Sequence, residues 1–142
     1  MAERMAQQRP DLHMVLSAPD DPPPSLRAQG RVIWQDLPPD NLPAAEAFLE
    51  HWRPDLAIWT GGDLKPALII CAARAGLPLY LADAEAALLE RPNWRWFPDL
   101  PREVLRAFEE IHVRDEAAAR QARRIRRRFS GGSMARSSSA KA

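Results

Sequence analysis

Residues 56–82 read LAIWTGGDLKPALIICAARAGLPLYLA, and the fold class follows from them. Residues 56–59 are a short continuous apolar run bounded by turn residues, the signature of a strand buried on both faces. Gly61 and Gly62 then turn the chain, and Asp63 stands where a helix cap belongs. Leu64, Ala67, Leu68, Cys71, Ala72 and Ala75 share one face at helical spacing, with Pro66 tolerated in the first turn. Gly76 is the expected stop, because glycine accepts the left-handed conformation that ends many helices. Residues 77–82 (LPLYLA) read as the next strand.

Upstream, the same alternation begins earlier. Residues 31–35 (RVIWQ) have β-branched and aromatic character and read as a strand. Residues 36–43 are turn chemistry, with Asn41 as a cap. Ala45, Phe48, Leu49 and Trp52 form one helical face, and Pro54 requires that helix to stop near Arg53. Residues 31–82 thus run strand, helix, strand, helix, strand. That order predicts an α/β fold, a Rossmann-like parallel sheet flanked by helices, with right-handed crossovers. Further upstream, residues 12–16 (LHMVL) are a candidate first strand. Residues 17–30 carry Pro19, Pro22, Pro23 and Pro24 and read as an extended loop, with a brief helical turn at 26–29. Residues 1–11 are polar and expected to be flexible.

Downstream, residues 84–89 suggest a short helix, and residues 92–100 (PNWRWFPDL) an aromatic loop bounded by prolines. A helix is expected over 101–108, with Val104, Leu105 and Phe108 on one face, then an edge strand over 110–113. Asp115 should cap a last helix whose apolar positions are Ala118, Ala122, Ile125 and Phe129. Residues 130–142 are Ser, Gly, Ala and a few basic residues, a composition that cannot bury a core and is expected to be disordered. The predicted organisation is a flexible start over 1–11, one domain over 12–129, and a tail over 130–142.

Composition narrows the function classes. The chain has 142 residues, 46% hydrophobic, with a net charge of +1. No global field recruits a specific nucleic acid. Charge is uneven, since six arginines lie between Arg120 and Arg128. That run reads as a solvated helix face, as a contact for anionic lipid headgroups, or as a nonspecific nucleic-acid contact. The single cysteine, Cys71, excludes an internal disulfide and lies on an apolar helix face, so it reads as core. No apolar run approaches the roughly 18 residues of a membrane span. The start lacks the pattern of a signal peptide. The expected location is the cytoplasm, including the inner face of the plasma membrane as a peripheral protein. His13, His51 and His112 show no metal-ligand spacing, and no G-x-S-x-G is present. Trp34, Trp52 and Trp59 fall in expected core elements. Trp94 and Trp96 read as packing, with stacking on a sugar or a membrane interface as the other option.

The turn at Gly61, Gly62, Asp63 and Lys65 is the candidate binding site. In open α/β sheets ligands bind beyond the carboxyl ends of the strands, and a helix N-terminus there favours an anion. Asp63 can accept hydrogen bonds from a sugar, and Lys65 can pair with a phosphate. The plainer reading is a tight turn and a helix cap. The turn is neither a P-loop nor a dinucleotide-binding glycine pattern.

Residues 48–84 (FLEHWRPDLAIWTGGDLKPALIICAARAGLPLYLADA) resemble the Kdo transferases, the glycosyltransferases that attach 3-deoxy-D-manno-octulosonic acid (Kdo) to a lipid A precursor. In that family a Trp-Arg-Pro-Asp helix end leads to an apolar strand, an acidic segment opens a helix, and a Gly-(Ile/Leu)-Pro turn leads to the next strand. Arg53, Pro54, Asp55, Leu64, Pro66, Gly76 and Pro78 match it. Residues 32–52 and 95–125 are similar to the flanking segments, so the resemblance covers about residues 12–127. It implies a single N-terminal-type half of a two-domain GT-B glycosyltransferase, facing a lipid A precursor or anionic membrane surface. It also implies CMP-Kdo as donor substrate, with no other cofactor, no metal at the reaction centre, and inversion at the sugar.

The departures are specific. The family's two acidic-segment glutamates fall on Gly61 and Asp63, and its Trp and Asn fall on Lys65 and Ala67. The family's catalytic glutamate has no match before Leu12, so the catalytic residue is unassigned. The nucleotide-sugar domain of the family has no match here, so the chain reads as a truncated or degenerate product, as one half of a split enzyme with a separate C-terminal GT-B partner, or as a relative with another task. The alternative expectation is a non-catalytic half-domain that binds a glycolipid or a protein.

Overall fold

A computed structural model describes residues 2–18, 24–27, 30–60, 64–84, 99–114 and 116–127. The chain divides into two compact units, Met1–Arg53 and Pro54–Ala142.

The first unit contains α1 (Ala2–Gln8), β1 (Met14–Leu16), α2 (Pro24–Arg27), β2 (Val32–Trp34) and α3 (Leu42–Trp52). β1 and β2 pair in parallel, with Val15 opposite Ile33. The polar start, expected to be flexible, is helical over Ala2–Gln8. The helical turn expected at 26–29 is present at Leu26 and Arg27 and begins earlier, at Pro24, since proline suits a first helical position; residues 28–29 lie outside the described residues. α3 begins where expected. The Asn41 side chain accepts a hydrogen bond from the Ala44 N–H at 3.0 Å. It ends at Arg53, whose backbone is left-handed (φ 43°) and whose N–H reaches the Leu49 carbonyl. Pro54 disfavours any further α conformation at Arg53, so the chain turns there.

The second unit contains β3 (Ala57–Trp59), α4 (Pro66–Arg74), β4 (Leu79–Ala84), α5 (Leu100–Arg106), β5 (Glu110–Val113) and α6 (Glu116–Arg127). Its sheet is parallel throughout, in the order β3-β4-β5. The fold class is therefore as expected: parallel strands joined by helices. The strands of residues 31–82, however, do not form one run of neighbours. β2 belongs to the two-stranded sheet and β3 to the three-stranded one.

α4 starts at Pro66 with Lys65 in the cap position, two residues beyond the aspartate expected there. It ends in paired bonds from the Leu77 N–H to the Ala72 carbonyl and the Gly76 N–H to the Ala73 carbonyl, both 3.0 Å. Gly76, at φ 75°, supplies the left-handed step that this closure needs. The buried face is broader than one stripe. Ile69 is fully buried beside Leu68, Cys71 and Ala72, whereas Ala75 is exposed. The reason is that α4 packs against both β4 and α5. Cys71 is a core residue.

Leu79, Leu81, Ala84, Val104, Leu105 and Phe108 complete this core. Trp34, Trp52 and Trp59 are half-buried rather than central, and Trp52 lies edge-on to His51. β5 has its expected bounds and is an edge strand. α6 buries Ala122 among its expected apolar positions. Ala84, expected to open a short helix over 84–89, instead ends β4; the rest of that segment, the loop of Trp94 and Trp96, Asp115, and the tail lie outside the described residues, as does Phe129. Among the described residues no helix is long and apolar enough to cross a membrane.

Candidate functional site

Because β3, β4 and β5 are parallel, their carboxyl ends share one edge of the sheet. The connection from β3 to α4 starts from that edge. Lys65 therefore stands at the N-terminus of α4, beside the strand ends, as the sequence suggested. Gly61, Gly62 and Asp63 lie outside the described residues. Lys65 has an extended backbone (φ −102°, ψ 93°), is half-buried, and makes no side-chain capping hydrogen bond. Its carbonyl accepts the Ile69 N–H at 3.0 Å, while Pro66 contributes no donor to the first turn. Among the described residues its ammonium has no ion-pair partner. A cation at the positive end of a helix is locally unfavourable, and a bound anion would relieve it.

Two further charged groups occupy the same edge. Asp83 lies in β4 and Arg114 follows β5. They form a fork-to-fork pair, Nε to Oδ1 at 3.1 Å and Nη2 to Oδ2 at 3.0 Å. The pair depends on a bulge. β4 advances from Leu81 to Ala84 while β5 advances only from Ile111 to Val113, so β4 holds one extra residue. Asp83 absorbs it with a left-handed backbone, φ 58°. Aspartate tolerates this conformation better than most residues. The extra residue also shifts the inward phase, so Ala84 is buried after Leu79 and Leu81. The Arg114 N–H then bonds the Ala84 carbonyl at 3.1 Å, tying the two strand ends together.

Sequence reading missed Asp83 and Arg114, which are 31 residues apart. A usable signal was present, since each directly follows an expected strand of a parallel sheet. At the opposite end of β4, the Tyr80 hydroxyl donates to Glu109 Oε2 at 3.2 Å. The Glu109 charge and this hydrogen bond, with some burial and Glu110, hold the Tyr80 phenol above its ordinary range. Among the described residues no group of three His, Cys, Asp or Glu is placed to hold a metal.

Comparison with known proteins places this arrangement. The family described as 3-deoxy-D-manno-octulosonic-acid transferase (kdotransferase) matches residues 1–131. The chain is also similar to a leucyl/phenylalanyl-tRNA–protein transferase of Chromohalobacter salexigens, 45% identical over 79 residues. That stretch covers 56% of this chain and 27% of the relative, so it spans little more than a quarter of that protein. No solved structure matches the chain. With a family match over nearly its whole length and a parallel α/β architecture, the chain belongs to the Kdo transferase family, as a glycosyltransferase-like domain of the N-terminal type.

Proposed function

We propose that this chain is the acceptor-side domain of a glycosyltransferase that moves Kdo from CMP-Kdo to a lipid A precursor. The family match over residues 1–131 carries the reading. In the reaction an acceptor hydroxyl oxygen bonds to the anomeric carbon as the bond to CMP breaks. The hydroxyl proton passes to a general base, and the sugar inverts. Donor binding is assigned to a C-terminal GT-B domain, with no metal at the centre. The partners are the lipid A precursor and the anionic membrane surface that holds it, on the cytoplasmic face.

Lys65 would pair with an acceptor phosphate at the head of α4. Gly61 and Gly62 would admit the acceptor to the backbone, and Asp63 would accept a hydrogen bond from one of its hydroxyls. The support at Lys65 is its position at a helix N-terminus on the carboxyl edge of the sheet.

The test is binding to vesicles containing lipid A precursor, with neutral vesicles as control, alongside an assay of Kdo transfer. Lys65→Glu is expected to weaken precursor binding about tenfold, the scale of one lost charge-assisted contact. Unchanged binding would remove Lys65 from the site, and unchanged binding by Asp63→Asn would remove Asp63. A second reading is a non-catalytic half-domain that binds a glycolipid or a protein. The departures from the family pattern favour it, since the two glutamates of the acidic segment fall on Gly61 and Asp63. Selective binding without transfer, even when a donor domain is supplied, would select it.

A further inference from the structure

We infer that α6 docks the chain on an anionic lipid bilayer through a ridge of Arg120, Arg123 and Arg124. The inference rests on the reading of the chain as acting on a lipid-borne acceptor, and it names the element that would hold the chain at the surface.

Residues spaced i, i+3 and i+4 share one side of a helix. All three arginines are exposed, Arg120 at 70% of its side chain. On the other side Ala122 is buried, where α6 packs against α5 and β5. The helix is thus held on its Ala122 side, with Arg120, Arg123 and Arg124 exposed on the other. Glu116 lies on the same ridge and pairs with Arg120 at 3.2 Å, cancelling part of its charge. Arg123 and Arg124 have no hydrogen bond or ion pair among the described residues. Arg126, Arg127 and Arg128 follow in the sequence.

A guanidinium matches lipid phosphate bidentately and is weakly hydrated, which suits a headgroup layer. Nucleic acid fits less well. The whole chain carries only +1, and α6 (EAAARQARRIRR) has no aromatic residue on which a base could stack. Position also favours the bilayer. α6 starts two residues after Arg114, at the carboxyl edge that holds Lys65. A surface contact along α6 would bring that edge towards the lipid acceptor.

The test uses the full chain and phosphatidylcholine vesicles with and without phosphatidylglycerol, all lacking lipid A precursor. Binding is expected only to the anionic vesicles and should fall steeply with salt, since screening acts within about 10 Å at 0.1 M. R123A/R124A is expected to weaken it about 25-fold, about fivefold per arginine at a charged surface. R123K/R124K should retain most of it. Near-ultraviolet dichroism of the tryptophans checks that each variant is folded. Three results would overturn the inference. The alanine pair could bind as the parent does, the lysine pair could lose as much as the alanine pair, or a DNA duplex could bind more tightly than the anionic vesicles at equal ionic strength. Because these vesicles contain no precursor, such a failure leaves the transfer reading to be judged by Lys65→Glu.

Discussion

The two units use the same motif, parallel strands with helices, and arrive at different interiors. In Met1–Arg53 the one buried apolar residue among those described is Ala45, while Val15 and Ile33 face each other across β1 and β2 at 39% and 44% exposure. In Pro54–Ala142, Leu64, Ile69, Leu79, Leu81, Val104 and Leu105 are all 2% exposed or less. The strand count explains much of this. A two-stranded sheet has two edges and no centre, whereas β4 has a neighbour on each side and α4 against it. Both units hold local ion pairs, and the second also joins distant elements through them. Among the described residues the closest one in the first unit is local, Arg9 to Asp11 at 2.8 Å, and the hydrogen bond from Arg9 holds the Asp11 carboxyl down to about 2. In the second unit the Asp83–Arg114 pair spans 31 residues and ties two strands together. A third strand converts local order into a core, and the core positions long-range charge.

The sharpest way to break this comparison is truncation in each sheet. Leu81→Ala should cost about 2–5 kcal/mol, the range for removing a buried leucine from a packed core. Val15→Ala, at a half-open position, should cost less than about 1 kcal/mol. Urea unfolding of both variants reads the difference, and equal losses would remove the contrast.

Glycine substitutions come next. Gly76→Ala forces a Cβ into the left-handed region and should cost about 1–2 kcal/mol, although nothing lies within 4 Å of that Cβ. Gly30 has equally open surroundings without a left-handed backbone, so Gly30→Ala should be neutral or slightly stabilising. A matching loss at Gly30 would show that the left-handed φ is not what sets the cost at Gly76. Asn41→Ala removes the α3 cap and should cost about 1 kcal/mol in thermal unfolding, since that helix has little buried area to hold it otherwise.

The smallest effect is spectroscopic. Tyr80 is the chain's one tyrosine, so phenolate absorbance reads it directly. Its midpoint should lie above the ordinary value near 10, and Glu109→Gln should lower it by removing the neighbouring charge. The sign for stability follows. The folded value is raised, so the contribution is fully present below about 10 and is lost as pH rises through the folded midpoint. A midpoint that Glu109→Gln leaves unmoved would remove the carboxylate as its cause.

Residue chemistry close along the chain was enough for much of the fold. Asn41 caps α3, Pro54 stops it, Gly76 closes α4, and residues 110–113 form β5, because each depends on a side chain or a φ angle within a few residues. The parallel α/β class was legible for a related reason, since apolar runs alternating with helical faces have few other solutions. Lys65 could be placed at a strand end and a helix start from order alone. What the sequence left open depended on partners distant in the chain. The assignment of β2 and β3 to separate sheets, the bulge at Asp83, its pairing with Arg114, and the burial of Ile69 between β4 and α5 were decided only by tertiary structure. Each is set by which strand or helix lies alongside, and hydrophobic periodicity determines which face is buried but not what it is buried against.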